Sequence, residues 1–164
     1  MVQRAAPKPS APPAPRPGEM LPGFSLPSSR GVPLGPATYK RHRNLALVFT
    51  HGEGCARCAE SLRAFAASAS GFVEEDSEVL VVAPVPAERA KPLAERLGLP
   101  FPVLADADGA IHARYGVPDG SAVFVADRYG EIRETWIAGA EHDPSPLPED
   151  VLGWLRLIEL ECPE

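Results

Sequence analysis

Leu45-Ala46-Leu47-Val48-Phe49-Thr50-His51-Gly52-Glu53-Gly54-Cys55-Ala56-Arg57-Cys58 is the stretch on which the fold turns. Residues 45–50 are an apolar run of strand length, and from residue 55 onward the apolar positions fall at helical spacing. Cys55 and Cys58 therefore stand three residues apart on the opening turn of a helix, directly after a buried strand. Side chains at i and i+3 share a helix face, so the two sulfurs can close a disulfide with little backbone movement. The unpaired N–H groups and the dipole of a helix start favour a thiolate there. Arg57 adds a positive charge beside it, while Glu53 and Glu60 act against it. In a strand–helix–strand setting this spacing points to a redox dithiol. A metal site wants four good ligands, and the chain offers one C-x-x-C.

Outward from this stretch, strands and helices alternate. Leu62, Phe65, Ala66 and Ala69 carry the helix to about residue 69, with Gly71 its expected stop. Residues 78–83 read as a β-branched strand ended by Pro84 and Pro86, 87–97 as a helix closed by Gly98, and 101–105 as a short strand. A brief helix over 110–115 ends at Gly116 and Pro118. Residues 122–126 and 131–137 form a hairpin around Asp127-Arg128-Tyr129-Gly130. Pro148 starts a last amphipathic helix through Val151, Leu152, Leu155 and Ile158. Upstream, 24–26 reads as a short first strand and 28–36 as turn-rich. Alternation implies parallel strands, and the hairpin adds an antiparallel edge. The expected fold is thus α/β, a central mixed β-sheet flanked by helices on both faces.

Residues 1–17 are a different material: six are Pro and four are Ala. Such a stretch cannot bury enough apolar surface to fold, so it is expected as a disordered Pro/Ala-rich tail ahead of one domain over 18–164. It lacks the apolar core of a secretory signal, and no apolar run reaches membrane-spanning length. A formal net charge of −6 argues against a nucleic-acid binder that works through a basic face. Three cysteines cannot all pair within one chain, which fits a reducing compartment, so the expected localisation is cytoplasmic.

The ordered motifs carry a family likeness. Gly18-Glu19-Met20-Leu21-Pro22-Gly23-Phe24-Ser25-Leu26 comes first, then Leu47-Val48-Phe49 with the C-A-R-C motif. Leu99-Pro100-Phe101-Pro102-Val103-Leu104-Ala105-Asp106, Tyr115-Gly116-Val117 and Val123-Phe124-Val125-Ala126-Asp127 with Gly130 follow. In this order, over roughly residues 18–137, the chain resembles the thioredoxin-like superfamily. Within it, the likeness is to the redoxin branch of alkyl-hydroperoxide-reductase and thiol-specific-antioxidant peroxiredoxins. Two departures stand out. The family's Pro-x-x-x-Thr-x-x-Cys signature, laid onto Cys58, puts Cys55 at the Thr position and His51 at the Pro position. Where peroxiredoxins carry an Arg before the late apolar strand, and thioredoxins a cis-proline, this chain reads Asp119-Gly120-Ser121-Ala122, with Pro118 three residues early.

The candidate catalytic residues are Cys55, Cys58, His51 and Arg57. For disulfide exchange Cys55 is the attacking thiolate and Cys58 the resolving thiol; in a peroxidase the roles can reverse. Cys58 shares a face with Leu62 and Phe65 and is expected to point inward, leaving Cys55 the accessible one. His51, at the C-terminal end of the strand, can support a thiolate or take up a proton. His42, His112 and His142 show no partners and are expected at the surface. Asp106-Ala107-Asp108-Gly109 reads as a strand-to-helix turn rather than a cation loop, and Cys162 as either a third resolving thiol or an unused tail cysteine. Trp136 and Trp154 read as core or interface anchors. The expected function is that of a thiol-dependent oxidoreductase and antioxidant. Its substrate is a protein disulfide or a small peroxide, its electron source a thiol reductant, and no organic cofactor or metal is called for. Neither nucleic acid nor membrane is an expected partner, and a homodimer stays open. The alternative is a non-catalytic thioredoxin-fold interaction module or a metal-binding module.

Overall fold

The computed structural model describes residues 12–118, 120–138 and 145–161. In chain order the elements are α1 (Pro36–Tyr39), β1 (Asn44–Phe49), α2 (Ala56–Ala67), α3 (Ala69–Glu74), β2 (Ser77–Ala83), α4 (Ala87–Leu97), β3 (Val103–Ala105), α5 (Ala110–Arg114), β4 (Ser121–Ala126), β5 (Ile132–Ala138) and α6 (Pro148–Glu161). The five strands form one sheet in the order β3-β2-β1-β4-β5. β1 and β2 pair in parallel with Leu47 opposite Leu80, and β3 continues in parallel beside β2. β4 runs antiparallel to β1, with Leu47 opposite Phe124, and β5 closes the sheet through the hairpin. This is the expected mixed sheet.

β1 lies at its centre and all six of its residues are buried. A strand covered on both faces needs a near-continuous apolar run, which is why this segment does not alternate with polar residues. Ala46, Val48, Val79, Val81 and Val123 face one core, built with Leu62 and Phe65 of α2, Leu93 of α4 and Val151 and Leu155 of α6. Leu45, Leu47, Phe49, Leu80 and Phe124 face the other, closed by Leu34, Ile111 and Tyr115. Helices thus cover both faces, and the chain leaving β1 emerges between the two layers.

Three local expectations differ. The first helix breaks at Ser68, where φ −100° and ψ 13° leave helical geometry, and Gly71 lies inside the following helix rather than stopping it. A Cβ on Gly71 would stand 3.1 Å from Leu152 Cδ1, so this glycine serves the close approach of α3 to α6. Residues 24–26 form no strand; Leu26 makes a single bridge to Leu34, and the pairing with β3 falls just beyond, at the bridge of Ser28 to Leu104. The turn-rich 28–36 segment leads into the one-turn α1. Residues 12–17, the end of the Pro-rich stretch, include a buried Pro15, and the Gly18 N–H donates to the Ile132 carbonyl at 2.8 Å. Among the described residues no helix is long and apolar enough to cross a membrane.

Candidate active site

The site grows from the way β1 ends. Gly52 adopts φ +134°, a conformation that L side chains rarely take, and turns the chain out of the sheet. Three residues later Cys55 caps α2: its backbone is extended (φ −88°, ψ 105°), and its sulfur accepts the Cys58 N–H at 3.2 Å. An oxygen side chain usually fills this role, so here a sulfur satisfies one of the orphan donors of the helix start.

Cys58 points back toward the strand. Its Sγ accepts the His51 N–H at 3.5 Å and lies 3.4 Å from His51 Nδ1, which is 3.9 Å from Cys55 Sγ. The three side-chain atoms all fall within 4.8 Å of one another. Burial pushes the Cys58 thiol up to about 11, the hydrogen bond with Cys55 acts the same way, and the His51 N–H works against both. Both cysteines are unpaired, and Cys58, turned inward, is the more buried of the two. Arg57 is exposed on the turn between them. Glu53 is held by a two-pronged pair from Arg89 of α4, at 3.1 and 3.2 Å, which offsets its charge near the thiols.

A cavity of about 310 Å³ opens beside Cys58. Thr50, Ser61 and Ser121 give it hydroxyls, and Trp136 and Ile137 give it an apolar wall. Ser121, at the start of β4, lines the same space as Cys58.

The residue that sequence reasoning misses is His112. It is only 3% exposed, not at the surface, because it fills a polar slot between the sheet and α5. Its Nδ1 lies 2.7 Å from Asp106 Oδ2 and its Nε2 lies 2.9 Å from the Thr50 carbonyl, while its ring stands edge-on to Phe49. Asp106 also accepts the N–H groups of Ile111 and His112. Burial raises the Asp106 carboxyl, but the hydrogen bonds from His112 and Ile111 outweigh it and hold the group below its ordinary range. Thr50 and His51 share one peptide unit, so its carbonyl faces His112 and its N–H donates to Cys58. The cue in the sequence is Asp106 six residues ahead of His112 across the Gly109 turn. His42 is exposed as expected, the 106–109 segment is a turn as expected, and Trp136 and Trp154 pack partly buried against the core. His142 and Cys162 lie outside the described residues.

A mixed sheet with a cysteine pair at the first turn of the helix after its central strand defines a protein of the thioredoxin fold. More narrowly, residues 17–138 match the AhpC/TSA family, and the chain belongs to it. A Mycobacterium tuberculosis protein (strain H37Rv) provisionally named a peroxiredoxin is 25% identical over 121 residues, covering 74% of this chain and 76% of its own. Among solved structures, peroxidoxin BcpB of Mycobacterium tuberculosis superposes with a TM-score of 0.75 at 21% identity, over 87% of this chain and 97% of that one. Peroxiredoxin Q of Xanthomonas campestris gives 0.71 at 16% over 82% and 90%. The reduced 2-Cys peroxiredoxin of Plasmodium vivax gives 0.77 at 14% over 90% and 83%. At these identities the structures speak for the fold.

Proposed function

We propose that the chain is a thiol-dependent peroxide reductase, an antioxidant that cycles through a Cys55–Cys58 disulfide. The observation that carries this reading is the gathering of Cys55 Sγ, Cys58 Sγ and His51 Nδ1 within 4.8 Å at the start of α2, in a chain of the AhpC/TSA family. Cys55 is the attacking group: it sits at the helix cap and receives the Cys58 N–H. Its thiolate attacks the terminal peroxide oxygen and becomes a sulfenic acid; the O–O bond breaks, and the alkoxide leaves as an alcohol after taking a proton. Cys58, still a thiol at neutral pH, then attacks the sulfenic sulfur. The disulfide forms, and the hydroxyl leaves as water with the Cys58 proton, which His51 Nδ1 is placed to accept at 3.4 Å. A small thiol or dithiol protein returns two electrons and two protons.

A second reading, exchange with protein disulfides, is favoured by Ser121 at the edge of the cavity, where the family's Arg would otherwise polarise a peroxide. The catalytic unit in either case is the domain from Gly18 onward, working in a reducing compartment such as the cytoplasm. The test is to add one equivalent of hydrogen peroxide to the reduced protein and follow each cysteine by mass spectrometry. Rapid, stoichiometric Cys55–Cys58 bond formation is the expected result. Failure to react with peroxide, together with reduction of a model protein disulfide, would move the assignment to exchange.

A further inference from the structure

The same three atoms that suit redox chemistry also have the spacing of a metal-ligand set. A tetrahedral zinc ion with metal–sulfur bonds of about 2.3 Å and a metal–nitrogen bond of about 2.0 Å holds its nitrogen and sulfur ligands about 3.5 Å apart. His51 Nδ1 stands 3.4 Å from one sulfur and 3.9 Å from the other, on either side of that value. Each sulfur already receives a backbone N–H: Cys58 from His51, and Cys55 from Cys58. Such outer hydrogen bonds orient metal-bound thiolates and spread their charge. Glu53, two residues from both His51 and Cys55, is occupied by Arg89, and among the described residues no other His, Cys, Asp or Glu joins the cluster.

We propose that His51 Nδ1, Cys55 Sγ and Cys58 Sγ form a three-ligand site for a thiophilic divalent cation, zinc foremost, with its fourth position left to water or an external thiol. Binding forms two metal–thiolate bonds and one metal–imidazole bond and releases two thiol protons to solvent. No oxidation state changes. Two thiolates neutralise the charge of the ion, and the neutral imidazole completes a soft, closely spaced set. The disulfide removes both sulfur ligands, so only the reduced protein can bind. Conversely, a bound ion holds both sulfurs and shields them from oxidants. The site thus makes the redox state of the pair a switch for metal binding, and it stands whether or not the protein turns over peroxide.

The experiment is a zinc titration of the reduced, chelator-treated full chain against a chromophoric chelator, with cobalt(II) as the spectroscopic probe. One equivalent per chain is expected, with sulfur-to-cobalt charge-transfer bands and the visible bands of a tetrahedral ion. The peroxide-oxidised protein should show neither. Cys55→Ser and Cys58→Ser should abolish stoichiometric binding, and His51→Ala should weaken it at least tenfold. His51→Gln, which keeps size and polarity at an exposed position, should behave like His51→Ala while retaining the wild-type circular dichroism. Lack of stoichiometric binding by the reduced wild type would overturn the proposal, as would wild-type affinity in both His51 variants or equal binding by the oxidised form. None of these readouts uses turnover, so failure here leaves the redox reading standing, and failure of the peroxide assay leaves this one standing.

Discussion

Cys58 holds its proton for reasons that can be separated. Burial disfavours its thiolate, Cys55 adds to that, and the backbone N–H groups of His51 and of Cys58 itself pull the other way. Alkylation with iodoacetamide followed by mass spectrometry should therefore label Cys55 ahead of Cys58 at neutral pH, with Cys58 catching up only as pH nears about 11. Stability should follow the same proton. Between the ordinary thiol value of 9.0 and about 11 the folded chain keeps a proton that the unfolded chain has lost. The contribution is thus fully present below pH 9.0 and disappears as pH rises through that window. Denaturant melts across it should show the wild type losing more stability than Cys58→Ser. His112 makes a different demand. Its replacement by Ala leaves Asp106 buried without its side-chain partner, and loss of one member of a buried pair costs about 3 kcal/mol. A drop in the urea midpoint with an unchanged slope is the expected reading. These two residues also mark what the sequence could show of the site. Cys55, Cys58 and His51 fall within eight consecutive positions, so local spacing alone brings them together. His112 meets a carbonyl 62 positions away, and a lone histidine on a short helix carries no sign of such a partner.

At the scale of elements, the readable parts were those whose environment is uniform along their length. After their polar first residues β1, β2 and β4 run on as apolar stretches because the sheet is covered on both faces, and α4 ends where expected because Gly98 adopts φ +62° at its C-cap. The illegible parts depend on a neighbour. Gly71 looks like a stop until Leu152 is seen beside it, and 24–26 looks like a strand although the segment makes only isolated bridges, Leu26 to Leu34 and Ser28 to Leu104. Gly116, which ends α5, has both kinds of meaning. Its φ is +71°, and an added Cβ would lie 2.5 Å from the Ala14 nitrogen and 2.9 Å from the Pro12 carbonyl oxygen. Gly116→Ala should therefore cost roughly 2 kcal/mol in backbone strain alone, with a further loss from the contact. Removing residues 1–14 from the variant should recover only the contact part, as read from urea melts of the four proteins. No recovery on truncation would show that residues 12–14 do not rest on this turn, and equal stability of Gly116→Ala and wild type would overturn the strain as well.

For the whole molecule, the proposed Cys55–Cys58 disulfide would have to close without disturbing the fold that supports it. The cysteine pair lies at one end of the sheet, anchored from several sides: β1 below it, α2 packed through Leu62 and Phe65, and the Thr50–His51 peptide held by His112. Closing the pair ties together residues only three apart, whereas a bridge between distant segments would restrict far more of the unfolded chain. The chain-entropy gain from so short a ring is at most about 2 kcal/mol, and any strain in the bond subtracts from it. Most of the stability comes from two apolar layers on either side of the sheet, neither of which depends on the sulfurs. Reduced and disulfide forms should therefore unfold in urea with the same slope and with stabilities within about 2 kcal/mol of each other. A changed slope, or an oxidised form destabilised by clearly more than about 2 kcal/mol, would mean that bond formation lifts the first turn of α2 off the sheet. In that case the disulfide would be part of a conformational switch, and the anchoring of the Thr50–His51 peptide by His112 would be the contact to test next.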